Sequence, residues 1–205
     1  MIKLRAAKMA DIESLYAISL VTGDAGGDAS VLYRDGRMIG HIYSAPYLHL
    51  CPESAFVAED ESGVAGYIVG ALDTRTYEAK LERDWWPQLR QAYPEPSGDP
   101  RTWDADQQRS FQIHHPRRTP EEIADTFPAH IHMNLLTRLR GLGIGTALLE
   151  QWLSQARLAN TKAVHLGASL ANEAAVHFWQ SRGFRVLELS AATRSSRTVW
   201  LGRSV

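Results

Sequence analysis

Two stretches of this sequence carry residue types that do chemistry. The first is Arg140-Gly-Leu-Gly-Ile-Gly-Thr146, with three glycines in five residues just ahead of an amphipathic helical pattern from Ile144 to Leu158. Glycines let the backbone turn tightly and expose successive N–H groups. The positive end of the following helix points into the same space, so the loop suits an anion, most simply a phosphate. The same glycines would also serve a plain tight turn. The segment lacks the Gly-Lys-Ser/Thr ending of a P-loop, and it lies too far down the chain for the dinucleotide fingerprint that follows a first strand. The second stretch is Ala129 to Leu136, which places Ile131, Met133 and Leu135 on one face of a strand and His130, His132 and Asn134 on the other. A histidine with its ordinary pKa of about 6.5 is a competent base near neutrality, and burial would lower that value and keep the ring neutral. Asn134 has no basic atom and could only orient a substrate. His-x-His also occurs at zinc sites, but no carboxylate-rich partner motif accompanies it here. Hydrogen-bonded core histidines are the plainer alternative.

The elements that must position these residues are legible from periodicity. Ile2 to Arg5 alternates as a short strand, and Asp11 opens a helix closed at Gly23. The glycine-rich, acidic Thr22 to Ser30 reads as a loop, with a second short helix predicted over Ala29 to Tyr33. Ala55 to Glu59 and Val64 to Asp73 form two strands around the turn Asp60-Glu-Ser-Gly63, the second apolar on both faces and therefore central. After the Ala129 strand and the Ile144 helix come a strand at Ala163 to Leu166, a helix from Asn172 to Ser181 and a strand at Phe184 to Leu189. The last strand is expected at Thr198 to Leu201, and, if exposed, it could pair across a homodimer.

Residues 74 to about 126 break this rhythm, carrying six of the nine prolines. At about 50 residues the stretch is too small to bury its own core, so it reads as an insertion packed on a single domain spanning 1–205, covering one side of the site formed around the Ala129 strand. Thr119-Pro-Glu-Glu122 predicts a helix with Thr119 as N-cap and Pro120 at the first helical position. Trp85 and Trp86 are expected to anchor the insertion. His114, His115, Arg117 and Arg118 form a basic cluster, either a solvated face or a substrate contact.

Composition narrows the function. The chain has 22 Lys and Arg against 23 Asp and Glu, a formal charge of −1, which gives no electrostatic footprint for nucleic acid or a membrane surface. A single cysteine, Cys51, permits no internal disulfide or multi-cysteine metal site and fits a reducing compartment. With no 18-residue apolar run and no apolar stretch at its start, the expectation is a cytoplasmic protein.

Arg140-x-x-Gly143-x-Gly145, followed by Asn172-x-x-Ala175-x-x-Phe178-Trp179 and Gly183-Phe184, is similar to the two signatures of the GCN5-related N-acetyltransferases (GNAT). The words His130-Ile-His-Met-Asn-Leu-Leu136 and Thr22-Gly-Asp-Ala-Gly26 look most like bacterial members close to the acetyltransferase-like domain of O-GlcNAc hydrolases. The resemblance implies an α/β fold: a central, mostly antiparallel mixed sheet split at the fourth and fifth strands, with helices on both faces. It implies acetyl-CoA as cofactor, the backbone of Leu135 and Leu136 pairing with its pantetheine arm. The amides of Gly141, Leu142, Gly143, Ile144, Gly145 and Thr146, with Arg140 opening the loop, would cradle the pyrophosphate, while Asn172 and Phe178 line the arm. The implied activity is N-acetyl transfer to a small or protein amine by direct attack on the thioester, with His132 and Asn134 as the candidate catalytic residues.

Many family members place a tyrosine where this chain has Trp179, whose indole is no acid at working pH. Some arylalkylamine acetyltransferases relay protons through paired histidines on this strand, but here the pair is one residue out of register. Asp24 or Asp28 could hold a cationic amine. The competing readings are a non-catalytic module that binds acetyl-CoA or a partner, and a metal hydrolase.

Overall fold

The computed structural model describes residues 1–205 apart from Ala192, Arg194 and Ser196. The alternating segments become strands: β1 (Lys3–Ala6), β2 (Ala55–Asp60), β3 (Gly63–Ala71), β4 (Ala129–Leu135), β5 (Ala163–Ser169), β6 (Arg185–Val186) and β7 (Thr198–Ser204). Among the described residues they form one seven-stranded sheet in the order β1-β2-β3-β4-β5-β7-β6. All neighbours are antiparallel except β4 and β5, which run parallel and pair only at Ala129 with Val164 and His130 with His165. Beyond those two rungs the strands diverge and the sheet opens into a wedge. This is the mixed α/β sheet, split at its fourth and fifth strands, that the sequence led us to expect.

Each face of the sheet is covered by helices, because β3 at its centre is apolar on both sides. On one face lie α1 (Ile12–Val21), α2 (Met38–Tyr43) and α3 (Ala45–Leu50). The segment between β3 and β4 packs on the same face as α4 (Thr74–Lys80), a π-helical turn (Leu81–Trp85), α5 (Trp86–Ala92), α6 (Ala105–His114) and the single-turn α7 (Glu121–Ala124). Tyr67 and Val69 of β3 share a core there with Leu15, Tyr47, Tyr77 and Ile113. The other face carries α8 (Ile144–Leu158) and α9 (Glu173–Ser181). In α8 the buried Leu148, Leu149, Trp152, Leu153 and Ala156 recur at helical spacing and pack on Ile68, Ile131 and Val164. Burying each large side chain of that stripe stabilises the fold by about 1.5–3 kcal/mol.

The 74–126 segment shares the core of the α1–α3 face. Trp85 and Trp86 are buried within it, and the Trp85 indole N–H donates to the carbonyl of His41 at 2.9 Å. Its two ends meet: the amide and hydroxyl of Thr74 both donate to the carbonyl of Pro128 at 2.7 Å.

Four expectations are corrected. Ala29 to Tyr33 forms turns, and the helices of this region are α2 and α3. Thr119 does not cap α7; Pro120, at φ −54° and ψ 141°, is the residue before its first turn. The Phe184 strand shortens to Arg185–Val186. Finally, the last strand is not the outermost one: β7 lies between β5 and the two-residue β6, which pairs with it at Leu201 and Gly202.

Candidate active site

The wedge between β4 and β5 is bounded by backbone whose direction follows from register. The amide of Leu136 donates to the carbonyl of Ala65 on the β3 side at 2.8 Å, and its own carbonyl accepts from Leu139 at 3.0 Å. Antiparallel alternation then turns the backbone groups of Ile131, Met133 and Leu135 away from β3, toward the wedge. Of the expected pair Leu135 and Leu136, therefore, only Leu135 faces the wedge, and its companion there is Met133. Both polar groups of Leu136 are already engaged.

At the end of β4 the glycine loop leads into α8. Gly141 and Gly143 sit at φ 75° and 77°, the left-handed region that side chains disfavour, and nothing lies within 4 Å of where a Cβ on either would stand. Among the described residues, no amide from Gly141 to Thr146 donates to a protein acceptor. Six successive donors, Leu142 and Ile144 included, thus stand free at the positive end of a 15-residue helix. Phe178 and Leu135 close on the same helix end, each within 3.3 Å of a Cβ built at Gly145. Arg140 ties the loop across the site: its Nε donates to the carbonyl of Leu135 at 3.1 Å and an Nη to that of Gly26 at 2.8 Å.

Deeper in the wedge is a cavity of about 220 Å³, walled by Tyr43, Arg109, His132, Asn134, Asn172 and Trp179 among others. Asn172 caps α9 by accepting from the Ala175 amide at 3.0 Å, which leaves its amide nitrogen for the cavity. Asn134 is held on both sides, its Oδ1 accepting from the Tyr67 hydroxyl at 3.1 Å and its Nδ2 donating to Thr22 at 2.5 Å. Trp179 is buried between Phe178 and Phe184, an aromatic wall with no hydroxyl to offer.

The two strand histidines differ in their surroundings. His130 is saturated: the Thr74 hydroxyl gives its proton to Pro128 and so accepts from Nδ1, while the Tyr47 hydroxyl donates to Nε2, both at 2.8 Å. Neither nitrogen is left to relay a proton from His132. His132 instead stands between the rings of Tyr43 and Tyr47, with no hydrogen-bond partner among the described residues, and faces the cavity. Burial, reinforced by repulsion from His165, pushes the His132 pKa down to about 4. Burial likewise takes His41 and His165 down to about 4 and His130 well below the ordinary range.

These four histidines predict a pH-sensitive fold. Each is neutral in the folded state near pH 6 but binds a proton in the unfolded chain below about 6.5. The unfolded state therefore binds more protons between about pH 6.5 and 4, and stability falls as pH falls through that window, by up to about 1.4 kcal/mol per pH unit for each histidine. Thermal melting at pH 7.5, 6.5, 5.5 and 5.0 should show a plateau followed by a steep drop. A melting temperature unchanged down to pH 5 would contradict buried neutral imidazoles.

Other candidates lie elsewhere. The Asp24 backbone pairs with Gly27, and the Asp28 carboxylate accepts from the amide and hydroxyl of Ser30. Neither lines the cavity, whose wall has no acidic side chain among the described residues. The basic cluster lies away from the cavity wall, with Glu95 bonded to His115 and Glu78 paired with Arg118. Among the described residues no group of three or more His, Cys, Asp or Glu could hold a metal ion. Sequence reasoning missed Tyr43 and Arg109. Helical spacing would pair Arg109 with Asp106, but Asp106 accepts instead from the amides of Arg34 and Asp35, so no local signal marks Arg109. No helix among the described residues is long and apolar enough to cross a membrane.

The fold has counterparts in known proteins. The crystal structure of SsHAT is 34% identical, covers 99% of this chain and 98% of its own, and superposes with a TM-score of 0.90. The structure of yncA from Salmonella typhimurium with its cofactor acetyl-CoA shares the fold at 14% identity, a TM-score of 0.54, and coverage of 99% and 93%. Protein O-GlcNAcase of Rattus norvegicus is 23% identical over 170 residues, which is 82% of this chain but 18% of that protein, so the chain spans under a fifth of that curated relative's length. Residues 38–184 match the Acetyltransferase (GNAT) family, and with α8, its amide-rich loop and the β4–β5 wedge all inside that span, the chain belongs to it.

Proposed function

We propose that this protein moves an acetyl group from acetyl-CoA to an amine by direct transfer. The observation that carries the reading is the run of unpartnered amides from Gly141 to Thr146 at the mouth of a wedge whose inner wall presents an unbonded, neutral His132. The residues present fit the cofactor: free donors and open space above Gly141 and Gly143 suit a pyrophosphate. When bound, acetyl-CoA supplies an activated acyl thioester. The backbone edges of Met133 and Leu135 would hold its extended arm as an added strand, with the Asn172 amide and Phe178 beside it. Asn134, fixed by Thr22 and Tyr67, orients the reacting groups. His132 accepts the proton that the amine gives up as its nitrogen bonds to the acetyl carbon. Trp179 shapes the wall and leaves protonation of the departing thiolate to water.

Calorimetry with acetyl-CoA, combined with thiol release across a panel of amines, tests this reading. Saturable binding with amine-dependent thiol release is the expected result. Binding with no release from any amine would make the chain a binding module, and absence of binding would remove the cofactor assignment.

A further inference from the structure

Among the described residues the cavity wall contains one cation, Arg109, and no anion. Arg109 comes from α6, in the segment between β3 and β4, and reaches the wedge from the side opposite the glycine loop. Its Nε donates to the Tyr33 hydroxyl at 3.0 Å, and one Nη donates to Tyr43 at 3.2 Å and to Gln112 at 2.9 Å. All three acceptors are neutral. Among the described residues Arg109 makes no ion pair, and the two hydrogens of its second Nη have no protein acceptor. A partly buried guanidinium stays charged, and without a counter-charge it is costly to keep. Tyr43 completes the arrangement: its oxygen accepts from Arg109 and Gln112, so its own proton is free to be donated. The same ring lies 5.6 Å from that of His132, one aromatic side chain away from the candidate base.

We propose that Arg109 and Tyr43 form a subsite for a carboxylate, so that the acceptor is an amino acid or another amine carrying a carboxylate close to its nitrogen. One carboxylate oxygen accepts from the free Nη of Arg109 and the other from the Tyr43 hydroxyl, which leaves the amine directed toward His132. The inference rests on the transfer reading above and names its acceptor class. A cavity with a fixed positive charge and no acid also disfavours a purely cationic amine, whose charge would meet Arg109 unscreened.

The test compares glycine, alanine, 4-aminobutanoate and phenylalanine with the amines left when each loses its carboxylate. Thiol release gives kcat/KM, and calorimetry of the N-acetylated products in the presence of CoA gives affinity without turnover. In at least one pair the carboxylate compound should exceed its partner about tenfold or more in both readouts, the worth of one charge-assisted hydrogen bond. Arg109→Gln should bring that ratio to about one, and Arg109→Lys should keep part of it. Carboxylates that match or trail the plain amines in every pair, or a ratio unchanged in Arg109→Gln, would overturn the subsite. The wild-type ratio stands even if a variant fails to fold. Arg109-dependent binding of the N-acetyl acids with no thiol release from any acceptor would uphold the subsite and sink the transfer reading.

Discussion

Replacing Gly143 by valine should lower the affinity for acetyl-CoA at least about 100-fold, equivalent to about 2.7 kcal/mol, while the protein remains folded. The two effects separate because of where the glycine sits. A Cβ at Gly143 meets no protein atom within 4 Å, so the folded chain has room for it. Its φ of 77° is disfavoured for any side chain by about 1–2 kcal/mol and is worse for a β-branched one, so some stability is lost. The larger loss falls on the ligand. The valine occupies the space above the free amides and tilts the loop that aims them, so a pyrophosphate can no longer approach the backbone. Gly143→Ala should fall between parent and valine. Calorimetry with acetyl-CoA, paired with a melting curve, decides the matter. Unchanged affinity in a variant that melts near the parent would end the assignment of this loop to the cofactor.

His132→Ala should reduce turnover about 10²-fold while leaving acetyl-CoA affinity near that of the parent. General-base help spans about 10²- to 10⁴-fold and is greatest when the base titrates near the working pH. Because burial brings His132 to about 4, it is neutral and available throughout the neutral range but only weakly driven to take a proton, which places the expected loss at the lower end. The same shift sets the pH profile: His132 contributes no break in kcat/KM near 6.5. The profile should instead rise toward alkaline pH as more of the amine loses its proton. A loss below fivefold would mean that the proton leaves through water. A break near 6.5 that disappears in His132→Ala would show a ring far better solvated than its setting between Tyr43 and Tyr47 allows.

What could be read from the sequence was local. The alternation of Ala129 to Leu135, the helical spacing of Leu148, Leu149, Trp152 and Leu153, and the glycine loop each declare themselves within a dozen residues, because strand, helix and turn are selected over that range. The helices α2 and α3 were not legible. Each has six residues, Gly40 interrupts the first and Pro46 opens the second. Too short to persist alone, they are held by packing: a Cβ at Gly40 would stand 2.4 Å from the Tyr16 ring. The cavity wall was hidden for a related reason. Arg109 meets Tyr43 across 66 residues and Tyr33 across 76, and no spacing rule reaches that far. That Leu136 turns its amide to Ala65 rather than to the wedge is a matter of a single position of strand phase, which only the pairing fixes.

The bonds from Thr74 to the Pro128 carbonyl hold together the two ends of the segment that supplies α6 and Arg109. A loop whose ends already touch can change length cheaply, since each doubling adds only about 0.6 kcal/mol of closure entropy. The segment therefore contributes one charged residue, Arg109, to a cavity wall whose other members Thr22, Tyr43 and Tyr67 lie upstream of it, while the glycine loop is encoded downstream. In evolutionary terms, replacing or resizing that one stretch of gene can change the charge of the cavity wall while leaving the sheet and the glycine loop as they are.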